Sequence, residues 1–454
     1  MRHKIKRPPV AAPNSARAAR VIINRKISDL NLDPRNPRVH SARQIKQIAR
    51  SIETFGFNVP VLVDAEGNVI AGHGRIQACQ LLGWTEVATI CLQHLSEAEA
   101  RAFMIADNRL TGSSNWNEQL LAEQLRDLSV LDLGFSLEVT GFDMGEIDLR
   151  IEGLNSPTQD DPADDLSKVP AGPPIAQPGD TWELGEHRIH CGNALEAAAY
   201  AALLQGEQAQ MVFSDPPYNV RIDGNVSGLG QQRHREFAMG SGEMTEFEFT
   251  RFLVSATSLL ARHSSEGSMH YVCMDWRHIA RLLTAAREVY QELINICVWV
   301  KNNAGMGSFY RSQHEFVCVF RHGRGAHRNN VQLGRFGRNR SNIWHYPGAN
   351  SFSRVGDEGN LLALHPTVKP VALIADAIMD CTARRDIVLD GFLGSGTTVI
   401  AAERSGRRCY GIELDPLYVD VIVRRWQAFT RGEAVHEASG RSFNQIQAER
   451  ASGR

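Results

Sequence analysis

A short string near the middle of the chain, FSDPPYNV, combines groups that could do chemistry. The apolar run AQMVFS predicts a buried strand that ends just before Asp215. Pro216 lacks an amide donor and Pro217 fixes its own φ, so the backbone cannot continue a ladder and stays stiff with its carbonyls exposed. The strand end therefore presents a carboxylate, carbonyl oxygens and the Tyr218 ring together, which indicates a binding function.

A second candidate site follows the string DIVLDGFLGSGTTVIAAERSGRRCYGIELDP near the end of the chain. It predicts a strand, a glycine loop, a helix that ends at Gly406, and a second strand that ends in Glu413. The loop glycines allow close approach of a ligand, and the acid is placed to accept hydrogen bonds from ribose hydroxyls. Because the loop lacks G-K-[ST], an adenosine without a triphosphate suits it better than ATP.

The elements that position these groups fall into two predicted domains. The segment 156–179 is rich in Pro and Asp without apolar periodicity, which indicates a linker. We predict a basic flexible arm at 1–20, a smaller α+β domain at 21–155, a larger α/β domain at 180–430 and a polar tail at 431–454. A hydrophobic content of 43% over 454 residues can supply two such cores.

Composition excludes several classes of protein. The eight cysteines form no C-x-x-C pair, which argues against a disulfide framework and a zinc module, and no carboxylate cluster has metal-ligand spacing. No apolar run approaches a membrane span, and the basic N-terminus has no following h-region. We expect a cytoplasmic protein with reduced thiols, no membrane contact and no metal.

The net charge of -2 hides two basic stretches. Residues 1–28 carry eight Lys or Arg and no acid, and residues 321–356 carry seven Arg and no acid. The second stretch also contains aromatic residues, so it favours nucleic acid as its partner. We expect a target recognition region at about 321–360, with these candidate contacts to base edges or phosphates: Arg324, Arg328, Arg335, Arg338 and Arg340.

Four motifs occur in a defined order: DPPY at 215–218, HPTVKP at 365–370, FLGSG at 392–396 and GIELDP at 411–416. The larger domain thereby resembles the beta class of DNA amino-methyltransferases, which modify adenine N6 or cytosine N4. The resemblance covers about 180–430 and implies an α/β, Rossmann-like domain that uses S-adenosylmethionine. This chain has D-G-F and C-G-N where the family more often has D-P-F and C-G-D.

The resemblance assigns roles to the matching residues. Asp215 and the Pro216 carbonyl would polarise the exocyclic amine, with Pro217 stiffening the motif and Tyr218 stacking on a flipped base. The cofactor would be held by these residues: Asp390, Phe392, Gly394, Ser395, Gly396, Thr397 and Glu413, with Thr367 and Lys369 near its methionine end. Catalysis would rest on positioning and polarisation. The first motif position is Asp, which in the family favours adenine over cytosine.

The smaller domain carries GHGR at a predicted strand-to-helix junction, where backbone amides and Arg75 could cradle a phosphate. With NPR at 36–38 and DNR at 107–109, it resembles the N-terminal domain of the ParB family. That resemblance implies phosphate or nucleotide binding at Gly72, His73, Gly74, Arg75, Asn108 and Arg109. His73 and Gly74 replace the middle pair of the family's G-E-R-R, so only a phosphate-binding tendency carries over. We expect this domain to tether or position DNA.

The sequence leaves alternatives open. We expect an adenine-specific methyltransferase acting on double-stranded DNA, and homodimerisation is an expectation from the family alone. A second hypothesis keeps the methyltransferase activity but changes the substrate to the N4 amine of cytosine or to RNA. A third hypothesis is a nucleotide-gated DNA-binding protein whose methyltransferase domain is non-catalytic.

Overall fold

The computed structural model describes residues 20–34, 36–111, 116–131, 133–152, 174–219, 243–302, 309–334, 339–346 and 368–452. The chain divides into two compact units, Met1–Asp143 and Met144–Arg454. Within the described ranges, no helix is long and apolar enough to cross a membrane.

The first unit is an α+β fold around a five-stranded mixed sheet with the order β1-β5-β3-β4-β2. Its elements are β1 (Ile22–Lys26), β2 (Asn31–Leu32), α1 (Ala42–Phe55), β3 (Val61–Val63), β4 (Asn68–Ala71), α2 (His73–Leu81), β5 (Glu86–Cys91), α3 (Glu97–Thr111) and α4 (Glu118–Ser129). Helix α1 packs on α2 and closes the core. Helix α3 begins with a capping box, in which the Glu99 carboxylate accepts from the Ser96 amide at 2.9 Å.

The second unit is built on an eleven-stranded sheet with the order β12-β10-β11-β9-β8-β13-β14-β7-β6-β15-β16. The strands are β6 (Thr181–Leu184), β7 (His187–Cys191), β8 (Ala209–Ser214), β9 (Ser264–Met274), β10 (Glu292–Val300), β11 (His314–Arg321), β12 (Ile343–His345), β13 (Ile387–Asp390), β14 (Arg408–Glu413), β15 (Val435–His436) and β16 (Arg441–Ser442). The helices are α5 (Met144–Glu152), α6 (Ala197–Leu204), α7 (Glu246–Arg262), α8 (Ile279–Val289), α9 (Val371–Cys381), α10 (Thr397–Ser405), α11 (Pro416–Thr430) and α12 (Phe443–Ser452).

Five neighbouring strands of this sheet, β7, β14, β13, β8 and β9, are parallel. Side chains on β8 alternate between two cores, with Met211 and Phe213 in one and Val212 in the other. Helices α9, α10 and α11 pack in the first core and α6 in the second, so the central strands are buried on both faces. This is a Rossmann-like α/β architecture, as the sequence predicted.

Two predicted boundaries differ from the structure. Residues 144–152, expected in the smaller domain, belong to the second unit because Asp148 is buried there in a bidentate ion pair with Arg407, at 2.9 and 2.7 Å. The predicted polar tail instead extends the sheet: β15 pairs with β6, and the buried Phe443 packs edge-on against Trp182. Its apolar residues are too sparse to give a periodic signal.

The predicted arm and linker lie mostly outside the described residues. At the end of the predicted linker, the amides of Ile175 and Ala176 donate to the Asp420 carboxylate at 2.6 and 2.8 Å. The last residues of that segment are therefore anchored to α11.

Candidate active site

Asp215 lies directly after β8, at the carboxyl edge of the parallel strands. Strand β8 pairs with β13, while the connection through α7 leads outward to β9 and the connection through α10 leads to β14 on the other side. The order of the strands therefore reverses between β8 and β13. Ligands of open α/β sheets bind in the crevice at such a switch point. The structure thus places DPPY and the glycine loop of β13 on adjacent strand ends.

The Asp215 carboxylate is held by two neighbours. The Lys369 ammonium donates to Oδ2 at 2.5 Å, and the Tyr218 hydroxyl donates to Oδ1 at 2.5 Å. Burial, with Asp215 and Glu315 nearby, raises the pKa of Tyr218 well above its ordinary value, so the hydroxyl remains a donor. Burial alone would lower the pKa of Lys369, but Asp215 and Glu315 raise it, so the amine stays charged.

Lys369 thus lies beside the carboxylate of the first motif. The resemblance placed it near the methionine end of the cofactor, whereas the structure gives its amino group protein partners at Asp215, Glu315 and Tyr218. The backbone explains this position, because Val368–Pro370 lead into α9, and α9 packs against β8. Thr367 lies outside the described residues.

Asp390 organises the glycine loop. Its carboxylate accepts from the Phe392 amide at 2.9 Å and from the Thr398 hydroxyl at 2.6 Å, so it links the end of β13 to the first turn of α10. Burial raises the pKa of Asp390 to about 7, while the two hydrogen bonds act against that rise. The side chain therefore shapes the loop.

Glu413 ends β14 and faces the same loop. Its two oxygens accept from the amides of Gly394, at 2.8 Å, and Asp415, at 2.9 Å. Burial, with the neighbouring Asp415 and Asp390, raises the pKa of Glu413 to about 7, while the two hydrogen bonds act against that rise. Each carboxylate oxygen has more than one acceptor position. The residues present therefore fit the hydroxyl groups of a nucleoside, which donate hydrogen bonds without adding negative charge.

Two glycines, one at the end of the loop and one on the adjacent strand β14, have no room for a side chain. Gly396 has φ +79, and a Cβ there would lie 2.8 Å from Ile422 side-chain atoms. A Cβ at Gly411 would lie 2.4 Å from Leu393. The buried Arg425, which the sequence did not single out, donates to the Ser395 carbonyl at 3.0 Å and to the Thr397 hydroxyl at 3.1 Å. Ser395 and Thr397 thereby hold the shape of the loop.

Sequence reasoning also missed Glu315 and Lys301. Glu315 is buried on β11 and accepts from Lys301, which follows β10, and from Lys369. A single acid in the otherwise apolar run HEFVCVF was the available signal, since an acid there must either be paired or interrupt a buried strand. The identity of its partners could not be read from spacing, because they lie on other elements.

The predicted DNA-reading arginines separate into three groups. Arg324 and Arg328 lie in the exposed connection after β11. Arg335 and Arg338 lie outside the described residues. The prediction that Arg340 contacts DNA is corrected. Arg340 forms ion pairs with Asp376 at 2.8 Å and with Asp380 at 2.9 Å, so its charge is neutralised inside the unit.

In the first unit, GHGR starts α2. Gly72 is the N-cap with φ 107, and His73 is buried. Burial, and then the neighbouring His40, lower the pKa of His73 below its ordinary value. Arg75 donates to the Pro60 carbonyl at 3.3 Å, and its pKa is lowered by burial but raised by Asp107. The helix start thus combines backbone amides with two basic side chains.

The NPR and DNR motifs meet beside each other in this unit. Asn108 donates to the Asn36 side chain at 3.3 Å, and Arg38 donates to the Asn108 carbonyl at 3.4 Å. Arg109 is exposed in the last turn of α3. The electrostatic effect of Asp107 on Arg75 connects DNR with GHGR.

The strand order and the switch-point site define an α/β, Rossmann-like protein whose loop residues fit a nucleoside. A DNA methylase family model matches residues 209–424, a ParB N-terminal domain model matches 12–109, and a ParB-methyltransferase HTH domain model matches 119–178. Residues 209–424 therefore form a DNA methylase domain of the N6/N4 family, and the chain also carries a ParB-like N-terminal domain.

Similar proteins cover the two parts separately. Type II methyltransferase M2.MboI of Moraxella bovis is 24% identical over 253 residues, which are 53% of this chain and 88% of the relative. The ParB-like nuclease domain-containing protein YnaK of Escherichia coli K12 is 38% identical over 78 residues, 17% of this chain and 90% of the relative. Among solved structures, the cytosine-N4-specific PvuII DNA methyltransferase is 16% identical, covers 57% of this chain and 96% of its own, and has a TM-score of 0.39.

Proposed function

We propose that the chain transfers a methyl group from S-adenosylmethionine to the N6 amine of adenine in double-stranded DNA. The observation that carries this proposal is the position of Asp215, which directly follows β8 next to the β13 glycine loop at the switch point of the sheet. A hydrogen-bond acceptor and a nucleoside site thus lie on neighbouring strand ends.

Asp215 and the Pro216 carbonyl act as acceptors for the amine hydrogens. An exocyclic amine is a poor nucleophile because its lone pair is delocalised into the ring. Hydrogen bonds to its hydrogens localise that pair on nitrogen, and the rigid prolines fix the direction in which it points. S-adenosylmethionine supplies an electrophilic methyl group. The new nitrogen–carbon bond replaces the sulfur–carbon bond, and the amine then loses one proton.

The cofactor is held at the β13 loop. Glu413 accepts from ribose hydroxyls, while Gly394 and Phe392, both half-buried, form the accessible part of the loop. Asp390, Ser395, Gly396 and Thr397 keep the loop in shape through the contacts described above. In this assignment Lys369 orients Asp215.

Tyr218 stacks on the flipped base. Base flipping removes a nucleotide from the helix at a cost of a few kcal/mol, which an aromatic partner offsets in part. In the structure the Tyr218 hydroxyl occupies one oxygen of Asp215. An amine that binds this oxygen therefore shares it with, or displaces, the hydroxyl.

One observation favours adenine over cytosine: the first motif position is Asp, and the D-P-P-Y members of the family mostly methylate adenine. The order of the motifs, DPPY before FLGSG, is that of the beta class as a whole and does not separate the two bases. N4-cytosine is the second candidate, supported by the family model, which covers both amines. We further propose that the ParB-like unit positions DNA and binds a phosphate group at the start of α2, through Gly72, His73, Gly74 and Arg75.

The test is transfer of a labelled methyl group from S-adenosylmethionine to unmethylated genomic DNA. Asp215→Asn keeps the shape of the side chain but removes its charge, and we expect transfer to fall by at least about 100-fold. Asp386→Asn is the matched control, because Asp386 lies at the opposite end of β13, where its carboxylate accepts from the Ala383 amide at 2.7 Å. Equal transfer by wild type and Asp215→Asn, with both variants folded, would contradict the proposal.

A further inference from the structure

A buried group of charges lies behind Asp215, and no role has been assigned to two of its members. Glu315 on β11 receives the Lys369 ammonium at 3.1 Å through Oε2, and Lys301 is paired with its other oxygen. The Tyr218 hydroxyl lies 3.3 Å from the same Oε2. We call Asp215, Glu315, Lys301 and Lys369 the charge cluster.

The strands explain why these groups meet. Strand β11 runs antiparallel to β9 and β10, so its first residues lie at the carboxyl edge of β9 and β8. In the β10–β11 pairing, Trp299 is opposite Glu315, so Lys301, two residues after Trp299, lies on the same face of the sheet and diagonally across from Glu315. Lys369 reaches the same place from the segment that precedes α9.

The charge cluster contains two carboxylates and two ammonium groups, so its formal charges cancel. Lys369 and Glu315 are almost completely buried, with side-chain exposures of 4% and 9%. Burial acts to raise the pKa of Glu315, but Lys369 and Lys301 lower it to about 2, so this carboxylate is ionised at neutral pH. Without Glu315, the site behind Asp215 would carry a net positive charge in a poorly hydrated environment.

A net charge at this place matters for the cofactor. Under the proposed function, the methyl donor approaches the amine that Asp215 holds, so its positively charged sulfur lies near the charge cluster. The product of the transfer is an uncharged thioether. A net positive charge in the cluster would therefore weaken binding of the donor and leave binding of the product almost unchanged.

We propose that Glu315 and Lys301 set the charge of the active site and thereby the preference of the protein for S-adenosylmethionine over S-adenosylhomocysteine. Glu315 compensates Lys369, which holds Asp215, so that the site can orient its acceptor without repelling a cationic cofactor. This inference rests on the proposed function. Glu315 is a positioning residue here, because it acts through Lys369.

The experiment is calorimetric titration of the full chain with each of the two ligands. Glu315→Gln should increase the ratio of the dissociation constants, donor over product, on the order of tenfold, the effect of one unit charge over roughly 10 Å at an effective dielectric constant of about 20. Lys301→Gln should change the ratio in the opposite direction. The double variant should return close to the wild-type ratio, because the cluster is again neutral.

The ratio separates this electrostatic role from a structural one. If Glu315 only supported packing, both ligands would weaken together and the ratio would stay constant in all variants, which would overturn the inference. Lys301 is more exposed than Glu315, so Lys301→Gln carries the test if Glu315→Gln does not fold. If the wild-type chain bound neither ligand, the proposed function itself would fail, and that outcome is distinct from an unchanged ratio.

Discussion

Two helices in this chain start in nearly the same way, one in each unit. Gly72 after β4 and Gly396 after β13 are both left-handed N-caps. In each case the carbonyl of the glycine accepts from the third and fourth residues that follow, at 3.0 and 3.1 Å for Gly72 and at 3.1 and 3.3 Å for Gly396. Because glycine has no capping side chain, the first amides of both helices are available to other partners.

The side chains around the two helix starts differ. At the second-unit junction, the Glu413 carboxylate binds the loop amide of Gly394 and lies near another acid, Asp415. At the first-unit junction, His73 and Arg75 supply basic groups. The comparison indicates that the backbone is similar at the two helix starts, and we propose that the neighbouring side chains favour a nucleoside in one unit and an anionic phosphate in the other.

The largest expected effect is the loss of stability on substitution of the two glycines, which should differ between them. Gly396→Ala combines a left-handed backbone with a 2.8 Å approach to Ile422, so we expect it to lower the free energy of unfolding of its unit by about 2–4 kcal/mol. The Cβ of Gly72→Ala would lie 3.0 Å from the flexible guanidinium of Arg75 and 3.2 Å from Val61, so this substitution should lower the free energy of unfolding by about 1–2 kcal/mol. Chemical denaturation measures both, and equal losses at the two sites would remove the structural difference between the junctions.

The next prediction concerns which ligand each of the two helix starts binds. Glu413→Gln removes the acceptor charge, so affinity for S-adenosylmethionine should fall by roughly 10- to 100-fold, the range for hydrogen bonds to a charged group. Binding of inorganic phosphate by the first unit should not change. Arg75→Gln should give the reverse pattern. Each variant is therefore the control for the other, and a variant that weakened both ligands would contradict separate sites.

The smallest predicted effect is an opposite response to pH. The pKa of Glu413 is raised to about 7, so below pH 7 the ligand-free protein binds a proton that ribose binding must release, and cofactor affinity should fall by up to about tenfold per pH unit. Glu413→Gln should reduce this pH dependence and leave only the part that comes from Asp390, whose pKa is also raised to about 7. The pKa of His73 is lowered, so His73 is neutral at pH 7 and gains charge only as pH falls.

Sulfate binding measures the pH response of the first unit, because sulfate stays doubly charged over the whole pH range of the experiment. Its affinity for the first unit should rise as pH falls through the lowered pKa of His73, and His73→Gln should remove the rise. Two affinities that changed in the same direction with pH would show that the two junctions do not differ in charge as inferred.

Sequence reasoning predicted those parts of the site that depend on local pattern. The strand before Asp215, the loop around Gly394 and the strand end at Glu413 each follow from apolar runs and glycine spacing within one segment. The same holds for the Gly72 junction. In all four places the chemistry-bearing residue directly adjoins the element that positions it.

The remaining features depend on contacts between distant segments. The bond from Lys369 to Asp215 spans 154 positions, and the pair of Arg407 with Asp148 spans 259. Arg340 was assigned to DNA because a run of arginines suggests a polyanion, yet its carboxylate partners stand on α9. Composition detects charge, whereas only the fold shows which charges are already neutralised.

The central claim is that Asp215 holds an adenine amine for methylation. Nucleoside mass spectrometry of DNA incubated with the full chain and S-adenosylmethionine tests it most directly. We predict N6-methyladenine with the wild-type chain and none with Asp215→Asn. N4-methylcytosine as the product would contradict the adenine assignment, and DNA without a methylated nucleoside would contradict the claim as a whole.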